Sequence, residues 1–130
     1  MADLLHVELV AADRLVWSGD ATMVLARTTE GDIGLLPDHA PVLSLLVDGV
    51  VEVTTDTEEV WVAAVDAGFL SVADNRVSIL SEHAEMSHEI DLEKAKHDLD
   101  RAHAAGEHDE EAQEAVRRAE ARIRAVEKAK

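Results

Sequence analysis

The sequence predicts an α+β chain: short antiparallel strands forming a sandwich or barrel, followed by an antiparallel two-helix hairpin. Three observations predict it. From Leu4 to about residue 82, apolar and polar residues alternate with period two. Turn residues interrupt that alternation every few positions, with no helical stretch between them. After Asp91 the apolar period lengthens to three and four. The change in period divides the 130 residues into a strand-forming part, 1–86, and a helical part, 87–130.

The strand signals run in order. Leu5, Val7 and Leu9 share one face of an extended Leu4–Val10, with His6 and Glu8 on the other. Met23–Thr28, Val60–Val65 and Phe69–Val72 are short runs rich in β-formers. Val51 and Val53 alternate with Glu52 and Thr54, and Val77 and Ile79 with Arg76 and Ser78. Ser18-Gly19-Asp20, Glu30-Gly31-Asp32, Pro37-Asp38, Asp48-Gly49, Asp56-Thr57 and Asp74-Asn75 read as turns. Asp74-Asn75 suits a tight hairpin, because both residues tolerate positive φ. With Phe69, Trp17 and Trp61 the only aromatics, the core must be built from Val, Leu, Ile and Ala.

The helices are predicted over about 91–105 and 110–129. Asp91 is a good N-cap, and Leu92, Ala95, Leu99 and Ala102 follow at helical spacing. Gly106 ends this helix and Glu107-His108-Asp109 connects it to the next. Ala112, Val116, Ala119, Ile123 and Val126 form the second stripe, with acids at the helix start and bases at its end. A connection this short predicts an antiparallel pair. Both stripes are narrow and alanine-rich, so the hairpin should be marginal when detached. It must lean on the strands or on another protein.

Charge narrows the function. There are 28 acidic and 12 basic side chains, a net of −16, which argues against nucleic acid and anionic lipid as partners. Residues 1–89 carry a net of −14 and residues 90–130 a net of −2, and the last fifteen residues are +4. Such asymmetry is a cue to an electrostatic partner. Cysteine is absent, which removes disulfides, thiolate metal sites and thiol nucleophiles. The apolar run Val42–Val47 is far too short to span a bilayer, and Met1-Ala2-Asp3 lacks the basic start of a signal peptide. A soluble, cytoplasmic chain is expected.

Chemistry is hard to find. No phosphate loop, dinucleotide fingerprint or nucleophile elbow occurs. Among the seven histidines, His97 and His103 lie about 240° apart around a helix, so solvated histidines are expected and no metal site. One segment stands apart: Gly31-Asp32-Ile33-Gly34-Leu35-Leu36-Pro37-Asp38-His39-Ala40-Pro41, an apolar run between glycines and prolines. It reads as a strand entering a rigid loop, or as a preformed loop that docks a partner.

With Trp17-Ser18-Gly19 before it, and Gly68-Phe69-Leu70-Ser71-Val72, Asp74-Asn75, Val77-Ser78-Ile79-Leu80 and Glu82-His83-Ala84-Glu85 after it, that segment resembles the epsilon subunit family of F-type ATP synthases over nearly the whole chain. Asp38 stands where the family usually has glycine, Asp32 where it has glutamate, and Ala67 where it has the first glycine of Gly-Gly-Phe. The resemblance implies an N-terminal antiparallel β-sandwich of about ten strands followed by a C-terminal antiparallel two-helix hairpin. It implies a non-catalytic central-stalk subunit, peripheral on the cytoplasmic face of the bacterial cell membrane without entering lipid. Its partners would be the gamma subunit, the c-ring and the alpha/beta head, and it would couple proton-driven rotation to ATP synthesis. Asp32, Ile33, Gly34, Leu35, Leu36, Pro37 and His39 would form the c-ring and gamma interface. Arg117, Arg118, Arg122 and Arg124 would meet an acidic segment of the beta subunit when the hairpin extends to restrain ATP hydrolysis. No cofactor is implied. Ile90, Asp91, Lys94 and Ala95 resemble the family's I/L-D-x-x-R-A motif for regulatory ATP, with lysine for arginine, which keeps charge but loses the planar fork. The alternative is a non-enzymatic β-sandwich adaptor whose mobile helical arm binds another complex.

Overall fold

A computed structural model describes residues 3–106 and 109–129. Nine strands run β1 (Leu5–Ala11), β2 (Leu15–Thr28), β3 (Gly31–Leu35), β4 (Val42–Leu46), β5 (Gly49–Thr55), β6 (Val60–Val65), β7 (Gly68–Ala73), β8 (Arg76–Ser81) and β9 (Ala84–Met86). A 3₁₀ turn, Ser87–Glu89, leads to helices α1 (Leu92–Ala104) and α2 (Glu110–Lys128). The helices lie where their spacing predicts them. Of their predicted connection, Glu107 and His108 fall outside the described residues.

The strand order is β1-β8-β7-β4-β2-β5-β6-β9, with β3 beside β2 and β1 also paired to β2. The first part of the fourteen-residue β2 pairs with β1 and its later part with β3 and β5. That one strand therefore bridges both layers of a sandwich. Every pairing is antiparallel except β1 with β8, which run parallel as the first strand closes the sheet against the eighth. Leu5, Val7, Leu9, Val24, Leu35, Val51, Val53, Val65, Leu70, Val72, Val77 and Ile79 fill the space between layers. The aromatics are marginal, as composition requires: Trp17 and Trp61 pack half-buried at the core's edge, their rings 6.4 Å apart.

One local expectation is corrected, and one strand lies outside the period-two signals. Ser18-Gly19-Asp20 is not a turn; it lies inside β2, with Gly19 opposite Val7. Glycine leaves room there for the Trp17 ring, which folds across it; a Cβ would come within 2.9 Å of the ring tip and the ring would have to shift. The reversal falls earlier, at Ala12–Arg14, where the Ala11 N–H donates to the Arg14 carbonyl. The run Val42–Leu46, without alternation in sequence, is a full strand, because Leu43 and Leu45 are apolar on the face turned to solvent.

α2 lies across β5 and β6, and α1 packs principally on α2. Ala121 and Ala125 press onto Val62 and Ala64, with Val50 and Ile90 alongside. β6 is therefore buried on both faces, Ala63 and Val65 facing the core and Val62 and Ala64 the helix. The predicted stripe of α2 faces elsewhere: its Ala112 and Ala119 are buried, while Val116, Ile123 and Val126 are half-buried.

Candidate functional site

At one end of the sandwich, β3 leads into the loop 36–41. Asp32 is mostly exposed and its Oδ1 accepts a bond from Arg27 Nε at 3.2 Å. Gly34 and Leu36 are exposed, and Pro37 and His39 half-exposed. Leu35 is a correction: it is fully buried in the core, opposite Val24, so it anchors the strand and cannot present a contact surface. Ile33 is half-buried against the same core and serves mainly to hold β3 down. Alternation along a strand requires this split, since only every second residue can face outward. The surface offered is Asp32, Gly34, Leu36, Pro37 and His39.

A second surface escapes motif reading. On the sheet face opposite the hairpin, Leu45, Phe69 and Leu80 lie in register across β4, β7 and β8, with Val10 of β1 continuing the row. Leu43 joins them at 72% exposure. A row of large apolar side chains facing water on a sheet is a candidate docking surface. Its signal in sequence was the unalternating run Val42–Val47 together with Phe69 and Leu80 set between core positions.

The third feature is the seat of the hairpin. Asp66, 1% exposed in the β6–β7 turn, faces Arg122 Nη1 at 3.1 Å and Arg118 Nε at 3.5 Å. Arg122 also donates from Nε to Glu85 at 2.7 Å. Burial works against the Arg122 charge, but the Glu85 and Asp66 carboxylates outweigh it and raise its pKa above the ordinary value. Arg117 pairs with the nearly buried Asp48 at 3.6 Å, and Lys128 with Glu52 at 3.7 Å. Asp48 additionally accepts from the Ala67 N–H. Arg124 lines a small groove with Lys128, Arg27, Asp32 and Glu52, at the start of β3. Three of the four arginines expected to meet another subunit thus hold the hairpin to its own sandwich in this conformation.

The residues of the predicted nucleotide motif serve the helix start. Asp91 caps α1 by accepting from the Lys94 N–H at 3.1 Å, and Lys94 Nζ pairs with Asp98 at 3.2 Å. Ala95 is buried and Ile90 packs beside Val62 and Ala64. A cleft of about 520 Å³ opens between the helices and the β6–β7 turn, lined by Asp66, His83, Arg101, Arg118 and Arg122 among others. Among the described residues, no three His, Asp or Glu side chains gather to hold a metal, and no helix is long and apolar enough to cross a membrane.

Contact surfaces and a latched helical arm, built on a sandwich, define a subunit of a larger assembly. Residues 4–87 match the family model for the β-sandwich domain of the ATP synthase Delta/Epsilon chain. The chain belongs to that family. It is 54% identical to the ATP synthase epsilon chain of Streptomyces avermitilis, over 97% of this chain and 98% of that one. It is 52% identical to the epsilon chain of Rhodococcus jostii over 95% and 96% respectively. Among solved structures it resembles a chain of the Euglena gracilis mitochondrial ATP synthase, from its OSCP/F1/c-ring part, with a TM-score of 0.79 at 26% identity, covering 90% of this chain and 78% of that chain. A chain from the central stalk and c-ring of the Tetrahymena thermophila enzyme shares the fold, with a TM-score of 0.62 at 18% identity and coverage of 98% and 97%.

Proposed function

We propose that this chain is the epsilon subunit of a proton-driven rotary ATP synthase, seated in the central stalk between the gamma subunit and the c-ring on the cytoplasmic side of a bacterial membrane. The observation that carries this reading is the uncovered apolar row Leu43, Leu45, Phe69 and Leu80, which leaves one sandwich face incomplete without a protein partner. Gamma fits that row. The loop end from Asp32 to His39 turns towards the ring. The subunit makes and breaks no bonds itself; it transmits torque from ring to head.

The hairpin supplies regulation. Docked, Arg117, Arg118 and Arg122 are spent on Asp48, Asp66 and Glu85. Extended, the same cations and Arg124 meet acidic residues of the beta subunit and restrain ATP hydrolysis. Acids of the sandwich and acids of the head then compete for one set of arginines. The nucleotide motif is already engaged by helix capping and the Lys94–Asp98 pair, so calorimetric titration with millimolar ATP should give no heat.

Co-purification tests the assignment: tagged chain should bring down gamma and c-ring subunits. Phe69→Glu should abolish that capture while the isolated chain keeps its melting temperature, because Phe69 is half exposed. Capture of neither subunit by the wild type would refute the central-stalk reading.

A further inference from the structure

The loop Leu36–Pro41 lies between β3 and β4 and belongs to neither strand. Its tightest point is Leu36-Pro37-Asp38-His39, where the His39 N–H donates to the Leu36 carbonyl at 3.2 Å. Proline at the second corner and a left-handed residue at the third are the arrangement of a type II turn, whose third corner favours glycine. Asp38 occupies it with φ 68°. On the far side of a gap of 37 residues, the β7–β8 turn is built from two more left-handed residues, Asp74 at φ 51° and Asn75 at φ 63°.

The two turns hold each other. The Asp38 N–H donates to Asn75 Oδ1 at 2.5 Å, and Asn75 Nδ2 donates back to Asp38 Oδ1 at 3.1 Å. The Asn75 carbonyl in turn accepts from the His6 N–H at 2.7 Å, tying in the start of β1. Glycine would satisfy the backbone at both Asp38 and Asn75 with less strain. Aspartate and asparagine are the residues that tolerate left-handed backbone and also carry a side chain short enough to bond across the gap. Turn geometry alone does not require those side chains. The reciprocal bond does.

We infer that Asp38 and Asn75 are a positioning pair: their clasp pre-orders the loop carrying Leu36, Pro37 and His39, so that it meets a protein surface without first having to be immobilised. The inference rests on the reading that this loop end faces the c-ring. Ordering a free loop on binding lowers affinity, and a clasp made in advance removes that cost. The clasp also locks the loop to the sheet layer carrying Phe69 and Leu80, so the ring-facing end and the apolar face move as one body.

Glycine substitutions take the clasp apart in steps while relieving backbone strain: Asn75→Gly deletes both bonds, whereas Asp38→Gly deletes the one accepted by Asp38 Oδ1 and keeps the backbone N–H donor at position 38. The full-length chain, Asp38→Gly, Asn75→Gly and the double variant would be titrated against the cognate rotor of gamma on its c-ring. Each single variant should bind roughly three- to ten-fold more weakly, the factor expected for ordering one or two loop side chains. The double variant should be no weaker than Asn75→Gly alone, since that substitution already removes both bonds. Melting temperature should hold or rise, hydrogen exchange should quicken only over residues 36–41, and Asp38→Asn should restore binding. If the wild type binds the rotor and the glycine variants match it, or if their losses add, the clasp is refuted. If the wild type itself does not bind, the central-stalk reading falls instead.

Discussion

Asp66 is the residue on which the two halves of the molecule meet. Its backbone is fixed by Ser81, whose Oγ accepts from the Asp66 N–H and bonds the Asp66 and His83 carbonyls at 2.8 and 2.7 Å. Its carboxylate is 2% exposed and faces two arginines of α2. Removing one partner from a buried pair costs about 3–5 kcal/mol, because a charge is left without compensation. Here that cost has an escape: if the helix leaves, Asp66 regains water. Arg122→Met should therefore release the hairpin and spare the sandwich, seen as fast amide exchange in α2 with protection of β1, β2 and β8 unchanged. Gly68, two residues on, behaves oppositely. A Cβ there would overlap the Leu80 carbonyl across the β7–β8 pair, and the backbone itself must yield. Gly68→Ala should destabilise the sandwich by about 2 kcal/mol or more, read as a fall in thermal midpoint. Ala67, exposed beside it, shows that the family's first glycine can carry a methyl group while the second cannot.

At the scale of elements, the 3₁₀ turn between β9 and α1 is a strap with a charge at its end. Glu89 accepts from the Met86 N–H at 3.1 Å and pairs with Arg14 at 3.0 Å, joining the entry to the hairpin to the β1–β2 turn. The Met86 bond, opposed by burial and aided by Arg14, lowers the Glu89 pKa below its ordinary 4.5. A depressed carboxylate stabilises the fold above the ordinary value, and that stability is lost as pH falls through the folded value. Melting temperatures measured from neutral pH to about pH 3 should thus fall less steeply in Glu89→Gln than in the wild type, from a lower plateau. The two helix faces also divide labour. The stripe of Ala112 and Ala119 meets α1, whereas Ala121 and Ala125 meet β6. The first stripe is legible in the helical period and the second is not, because alanines beside arginines do not read as an apolar face.

For the whole molecule, the docked hairpin is held by a small apolar contact and a ladder of ion pairs. Asp48, Glu52, Asp66 and Glu85 face Arg117, Lys128, Arg118 and Arg122. Raising salt from about 0.1 M to 1 M shortens the screening length from roughly 10 Å to 3 Å, which weakens the exposed rungs most. Exchange of α2 amides should rise with salt while the β core is unmoved; equal protection of both at all salt concentrations would mean that the hairpin is not a separate unit. In the assembled enzyme, deletion of residues 91–130 should raise ATP hydrolysis and leave assembly largely intact. Unchanged hydrolysis would show that this tail does not restrain the motor.

The sequence by itself determined what depends on near neighbours. Period two placed most of the strands and period three-to-four the helices, Asp91 and Asp109 capped α1 and α2, and Asp74-Asn75 set a tight hairpin. Its family motif located the loop end through the spacing of Gly31, Gly34, Pro37 and Pro41. The tertiary structure alone decided what depends on residues far apart in the chain. It sent Leu35 into the core, laid Leu45, Phe69 and Leu80 side by side, and bonded Asp38 to Asn75. Above all it gave the arginines of α2 the carboxylates Asp66 and Glu85 as partners. Backbone preference acts over a few residues, but the partner of a long charged side chain is chosen by whichever surface packing brings within its reach.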